Sequence, residues 1–208
     1  MLEPINYNGN NFEEKMKDCF TYFNDIFMNK DNRPEYNGRF IFFNTNRETT
    51  YGERKVTLNY PEKFIHLISI DDADEQDDVF DGTQKYNIFP CYNDVAYETC
   101  NSKCTASEIP SFYMTGRSEC YYRMNRVHWI REIIDLANKD DQSITEWREP
   151  KTTKKGSQYD RVIRYQDPRS DYLIVLKEDK NKLIFITAHP VVLKAKKKKL
   201  DSDYKKFK

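Results

Sequence analysis

Residues 172–190 constrain the fold more than any other stretch, because they contain two apolar runs around a short polar segment. Residues 172–177 and 183–190 are rich in β-branched and other apolar side chains, and the residues between them are polar. This pattern predicts a β-hairpin. Pro190 would end the second strand, because proline has no N–H to donate to a neighbouring strand.

Three polar residues lie near the ends of these two predicted strands. Thr187 and His189 are two positions apart, so strand alternation places them on one face. Lys177 comes at the end of the partner strand. If the hairpin pairs in simple register, these three side chains face one solvent-accessible cleft, and we expect Arg126 to face it too.

The remaining periodicities predict an α+β protein, in which a small antiparallel β-sheet packs on helices and the N-terminal half is elaborated with helices and loops. An apolar stripe predicts one helix over residues 119–136, and this stripe would pack on the sheet. The other predicted elements are helices at 12–28 and 61–68, strands at 39–44, 55–60, 144–147 and 161–165, and loops at 45–53 and 151–156.

The formal net charge of zero hides an asymmetry along the chain. Residues 1–110 contain 11 Lys and Arg against 20 Asp and Glu, which leaves 23 against 14 for the remainder. A bound polyanion would therefore contact the second half. Six acidic residues fall within residues 71–78, where we favour a solvated loop over a calcium site because the calcium-loop glycine and glutamate are missing.

The chain shows no secretory signal pattern and no apolar run long enough to cross a membrane, and membrane association is not expected. Its five cysteines form no Cys-x-x-Cys pair, which favours reduced thiols in the cytoplasm. Cys100 and Cys104 have a spacing that zinc tolerates, but Cys91 and Cys120 provide no matching second pair, so ordinary thiols remain the favoured alternative. We expect no metal and no cofactor.

Four short motifs in the second half occur in an order that resembles the phage-associated nucleases of the barnase, EndoU, colicin and RelE group, the BECR fold. They are Arg-Val-His-Trp-Ile at 126–130, Ile-Thr-Glu-Trp at 144–147, Tyr-Leu-Ile-Val-Leu at 172–176 and Phe-Ile-Thr-Ala-His-Pro at 185–190. The resemblance covers about residues 120–192. That family commonly ends its last hairpin with a Thr-Ala-Tyr-Pro-like sequence, and this chain has His189 at the tyrosine position.

The resemblance implies a metal-independent, toxin-like RNA endonuclease that acts on tRNA or another RNA. It divides the chain into an N-terminal α+β extension with an acidic loop at 1–110, a nuclease core at 111–193 and a basic tail at 194–208. RNA is then the expected partner, and an immunity or antitoxin protein is a candidate second partner.

Metal-free RNA cleavage proceeds by attack of the ribose 2′-OH on the adjacent phosphate. The reaction needs a proton acceptor, a proton donor and positive charge near the phosphorane. We assign His189 and His66 as acid/base candidates, with Arg126, Lys177 and Thr187 holding the phosphate. His128 has apolar neighbours, which indicate a packing position.

Five further residues are candidates for RNA binding. The flat guanidinium groups of Arg123 and Arg131 suit phosphate oxygens, although salt bridges on a helix surface explain such arginines equally well. Trp147 could stack on a base, or it could be a core residue. Lys154 and Lys155 lie in a basic loop, and the lysines of the tail would add sequence-independent affinity.

Two other function classes remain open from the sequence. A nucleic-acid-binding module without catalysis would show salt-sensitive binding and leave RNA intact. A protein-interaction or inhibitor module would use the acidic stretch from residue 71 to residue 81 as its contact surface.

Overall fold

A computed structural model describes residues 1–51, 54–71, 117–153, 156–191 and 194–208 and shows an α+β chain. Two units are present. The first, unit 1, comprises Met1–Leu2, Tyr22–Asn44 and His128–Lys208, and the second, unit 2, comprises Glu3–Thr21 and Thr45–Val127. The predicted boundary at residue 110 lies outside the described residues.

The described elements follow one another along the chain, with a π-helical turn at Asn24–Met28 directly after the first helix. They are α1 (Phe12–Phe23), β1 (Glu35–Tyr36), β2 (Arg39–Phe42), β3 (Glu48–Tyr51), β4 (Arg54–Thr57), α2 (Glu62–Ile68), β5 (Ser69–Asp71), β6 (Arg117–Glu119), α3 (Tyr121–Met124), α4 (Trp129–Ala137), β7 (Ile144–Thr153), β8 (Gly156–Gln166), β9 (Asp171–Asp179), β10 (Lys182–Pro190) and α5 (Lys194–Phe207).

Unit 1 contains a six-stranded mixed sheet in the order β1-β2-β10-β9-β8-β7. The four strands from β7 to β10 are antiparallel, as predicted. The prediction of a purely antiparallel sheet is wrong, because β2 pairs with the edge of β10 in parallel, with Ile41 beside Leu183. A parallel neighbour can come from a distant part of the sequence, and local patterns do not reveal it.

The predicted hairpin is confirmed as β9 and β10. Lys180 in its turn has a φ of 30°, in the left-handed region that tight hairpin turns require. A bulge between Phe185 and Thr187 shifts the register by one residue. Phe185 and Ala188 are therefore both buried although they are three positions apart.

Each face of the sheet in unit 1 carries a helix. On one face, Trp129 of α4 packs against Tyr165 and Tyr172, with ring centroids 6.1 and 5.7 Å apart. On the other face, Leu200 of α5 forms a core with sheet residues that include Trp147. The packing of the predicted apolar stripe on the sheet is confirmed for α4, whereas the docking of α5 was not predicted.

Several predicted boundaries need correction. The helix predicted at 119–136 is two helices, α3 and α4, separated by turn residues. The loop predicted at 45–53 contains β3, which pairs with β4. Strands β7 and β8 extend through most of the loop predicted at 151–156, and residues 154–155 lie outside the described part of the chain.

Unit 2 contains the paired strands β3–β4 and β5–β6 together with α2 and α3. Most of α1 also belongs to this unit, and Asn11 begins the helix by accepting the Glu14 N–H at 3.0 Å. Phe20 packs its ring edge against Phe64 of α2 at a centroid distance of 5.0 Å. No helix in the described ranges is both long enough and apolar enough to span a bilayer.

Candidate functional site

The last hairpin brings three predicted site residues to one face of the sheet. Lys177 pairs with Ile184, whereas His189 pairs with Leu173 at the opposite end of β9. Lys177 and Leu173 are four positions apart on one strand, or about 13 Å. The hairpin therefore places His189 beside Thr187. Lys177 lies one or two nucleotide lengths from this pair along the strand.

The imidazole of His189 is half-buried in this structure. Its Nδ1 lies 3.5 Å from Thr187 Oγ1, and its Nε2 is buried. Leu173, its partner across the hairpin, belongs to the core that α5 covers. The buried Nε2 would have to be uncovered before it could exchange a proton with RNA, so we rank the hairpin face below the site around His66.

Two residues that were predicted separately, the acid/base candidate His66 and the RNA-binding candidate Arg123, come together inside unit 2. The α2 segment turns Phe64, Ile65, Leu67 and Ile68 into the core, which leaves the half-buried His66 on its other side. Ser69 comes directly after the last residue of α2 and begins β5. This strand pairs with β6, which places Asp71 opposite Arg117.

Two guanidinium groups converge on Ser69. Arg117 donates from Nη2 to the Ser69 carbonyl oxygen at 3.1 Å and from Nε to its Oγ at 2.7 Å. Arg123 donates from Nη1 to the same carbonyl oxygen at 2.7 Å. Both guanidinium groups are thereby held at Ser69, three residues after His66. Each has five N–H donors in total.

Burial is the main cause that lowers the pKa of His66 to about 3, and the positive charges of Arg117, Arg123 and Lys63 lower it further. The imidazole is therefore neutral at neutral pH, but it is a weak proton acceptor while its burial and the neighbouring positive charges are uncompensated. An anion bound beside the two arginines would offset their charge and raise the pKa of His66. We call His66, Arg117 and Arg123 the His66 cluster.

Sequence reasoning missed Arg117. Its position depends on the β5–β6 pair, whose strands are separated by residues 72–116 in the sequence. No local periodicity connects strands this far apart. Arg123 was found because it lies in the strongly periodic helical stretch.

The structure gives packing positions to several other predicted residues. Arg126 is buried, donates from Nη1 to the Tyr122 carbonyl oxygen at 2.9 Å and lies 3.6 Å above the Tyr122 ring. Trp147 is 2% exposed, which corresponds to the core alternative rather than to base stacking. Arg131 binds Asp135 on its own helix and the Asn32 carbonyl oxygen.

Some predictions concern residues outside the described ranges. These are Lys154 and Lys155, the pair Cys100 and Cys104, and all of the acidic run 71–78 after Asp71. Within the described ranges, Cys19 and Cys120 are buried free thiols, and no three His, Cys, Asp or Glu side chains are grouped to hold a metal ion.

Comparison with known proteins gives no match to this chain. No family model matches it, and neither does any curated protein or solved structure.

Proposed function

We propose that the chain is a metal-independent RNA endonuclease whose catalytic centre is the His66 cluster. The observation that carries this proposal is a neutral, half-buried imidazole beside two guanidinium groups anchored on one residue, Ser69. This combination supplies a base and positive charge together. The ordered motifs that resemble the BECR nucleases support the same reaction class by analogy.

In the proposed reaction, His66 removes the proton from a ribose 2′-OH. The 2′ oxygen then forms a bond to the adjacent phosphorus, and the bond from phosphorus to the 5′ oxygen breaks. The products are a 2′,3′-cyclic phosphate and a 5′ oxygen that takes a proton from solvent. Arg117 and Arg123 stabilise the additional negative charge on the phosphorane.

The decisive experiment incubates the purified chain with total RNA in the presence and absence of a chelator. Cleavage should persist in the chelator. His66→Gln and Arg123→Gln should each lower the rate by about a hundredfold or more, since they remove the base and a charge contact. Arg47→Gln is the matched control, because Arg47 is an exposed arginine of the same unit.

Two other outcomes would contradict the proposed catalytic site or the proposed activity. If His189→Gln abolishes cleavage and His66→Gln does not, the hairpin face is the catalytic site and our assignment is wrong. If RNA stays intact but binds in a salt-sensitive manner, the chain is a binding module without catalysis.

The pH dependence provides a further test of His66. Because kcat/KM reports the ionisation of the free enzyme, a base with a pKa of about 3 remains neutral down to pH 5. We therefore expect kcat/KM to change little between pH 7 and pH 5. A histidine with an ordinary pKa would cause a fall of about 25-fold over that interval, and such a fall would argue against His66.

A further inference from the structure

The turn end of the β9–β10 hairpin contains a cavity of about 480 Å³ in unit 1. Four cationic side chains line it, against two carboxylates, Glu178 and Asp179. The four cations are Arg39, Arg148, Lys177 and Lys180. Since their charge exceeds that of the carboxylates, the cavity is electropositive and suits an anion.

Strand lengths create this cavity. The β7–β8 pairing continues to Thr153 and Gly156, whereas the pairing of β8 with β9 stops at Asp160 and Lys177. The β7–β8 hairpin therefore projects beyond the β9–β10 turn, and Tyr159 lines the resulting space. Arg39 reaches the same space from β2, on the other side of β10.

Glu178 organises the arginines around the cavity. Its carboxylate lies 2.9 Å from Arg148 Nε, 3.4 Å from Arg161 Nη2 and 3.9 Å from Arg39 Nη2. Arg161 Nη1 also lies 3.7 Å from Glu146, so two carboxylates balance only part of the charge of three guanidinium groups. Each guanidinium has five N–H donors in a fixed plane, so the fork that contacts Glu178 can also bind phosphate oxygens.

Arg148 also forms a flat surface with an aromatic ring. Its guanidinium carbon lies 3.7 Å from the centre of the Tyr159 ring, so Tyr159 covers one face of the guanidinium. A nucleobase can stack on the opposite face of such a guanidinium.

We propose that this cavity binds one nucleotide unit, with its phosphate held by Arg39 and Arg148 and its base stacked on Arg148. The unit comes either from a free mononucleotide or from single-stranded RNA. The site lies in unit 1 and shares no residue with the His66 cluster, so it does not depend on the proposed catalytic function.

The test titrates adenosine 5′-monophosphate, adenosine and inorganic phosphate into the full chain by calorimetry at low salt. It uses His66→Gln protein so that no ligand is cleaved. We expect the monophosphate to bind at least tenfold more tightly than either fragment. Arg148→Gln and Arg39→Gln should each weaken its binding tenfold or more, whereas Lys139→Gln, at an exposed position in the same unit, should leave it unchanged.

Arg148→Lys separates the two parts of the site. It keeps the charge but loses the flat stacking surface, so the monophosphate should then bind no more tightly than inorganic phosphate. Equal weakening by Lys139→Gln and Arg148→Gln would overturn the proposal, because it would show non-specific attraction to positive charge. Monophosphate binding that is unchanged in both cavity variants, or undetectable in the parent protein, would also overturn it.

A competition experiment distinguishes the two sources of the nucleotide. The competitor is a six-nucleotide single-stranded RNA. If it displaces the bound monophosphate at a lower concentration per nucleotide than unlabelled monophosphate does, the RNA strand is the ligand. Displacement only at an equal or higher concentration per nucleotide identifies the free nucleotide.

Discussion

Arg164 is a strand residue whose charge is enclosed by two carboxylates. It is 2% exposed, and its Nε and Nη2 donate to Asp171 at 2.8 and 2.6 Å. Its Nη1 donates to Asp201 of α5 at 2.6 Å. This arginine therefore ties three segments of unit 1 together, and removing it would leave the buried Asp171 carboxylate with Lys197 Nζ, 4.0 Å away, in place of a bidentate guanidinium.

We expect Arg164→Met to lower the free energy of unfolding by about 3–5 kcal/mol, because breaking a buried ion pair leaves a buried charge without its bidentate partner. Urea unfolding followed by circular dichroism measures this change. Arg131→Met removes a half-exposed helix ion pair and should cost less than about 1 kcal/mol. Similar losses in the two variants would show that burial of Arg164 adds nothing.

His66 makes the stability of the chain depend on pH. The lowered pKa means that the unfolded chain binds a proton below its ordinary value of 6.5, whereas the folded chain binds it only near pH 3. The contribution of His66 to stability is therefore complete above pH 6.5 and is lost as the pH falls towards 3.

We expect His66→Gln to flatten the acid side of the plot of unfolding free energy against pH between 6.5 and about 3. Urea titrations at half-unit pH steps test this expectation. His189→Gln serves as the histidine control. An unchanged acid slope in His66→Gln would contradict the pKa assignment.

At the scale of elements, the C-terminal helix α5 shows that apolar periodicity predicts structure better than charge does in a lysine-rich segment. Residues 194–208 contain eight lysines, and their composition suggests a solvated tail. Leu200, Tyr204 and Phe207 recur at steps of four and three, and all three pack against the core that contains Trp147. The apolar stripe was present in the sequence, and it predicts the docked helix better than the charge does.

We expect Leu200→Ala to lower the free energy of unfolding by roughly 2–3 kcal/mol, because it opens a cavity under the helix. Deleting residues 194–208 should in addition expose Trp147 and shift tryptophan emission to longer wavelength. Lys205→Ala, at an exposed position of the same helix, is the control. If the deletion leaves both emission and stability unchanged, α5 does not cover Trp147 in solution.

The elements that could be predicted are those that depend on neighbouring residues. The β9–β10 hairpin followed from two apolar runs and one turn, and α2 followed from its proline start and apolar residues. The pairings β2–β10 and β5–β6 join distant segments, and no local pattern encodes them. For the same reason the sequence suggested His66 and Arg123 separately but gave no signal for Arg117.

At the scale of the whole molecule, unit 1 is assembled from both ends of the sequence. Phe43 stacks on Phe185 with ring centroids 4.5 Å apart, and Phe27 packs on Phe43. Strand β2 also covers the edge of β10. A contiguous C-terminal segment therefore lacks part of the core and one sheet neighbour.

We expect a fragment of residues 111–208 to aggregate or remain largely unfolded, because the exposed edge of β10 can pair with other chains. Adding a separate peptide of residues 22–44 should increase its soluble, folded fraction, measured by size-exclusion chromatography and circular dichroism. A scrambled peptide of the same composition is the control. A monomeric fragment that folds without the peptide would contradict this expectation.

The parallel contact between Ile41 and Leu183 also has a kinetic consequence. It joins segments about 140 residues apart, and such distant contacts slow folding because a long loop must close first. During synthesis, the N-terminal partner emerges from the ribosome long before its strand neighbour has been made. The nascent chain therefore presents an unpaired β2 edge, with the apolar side chains of Phe40 and Phe42 beside it, for most of its translation time.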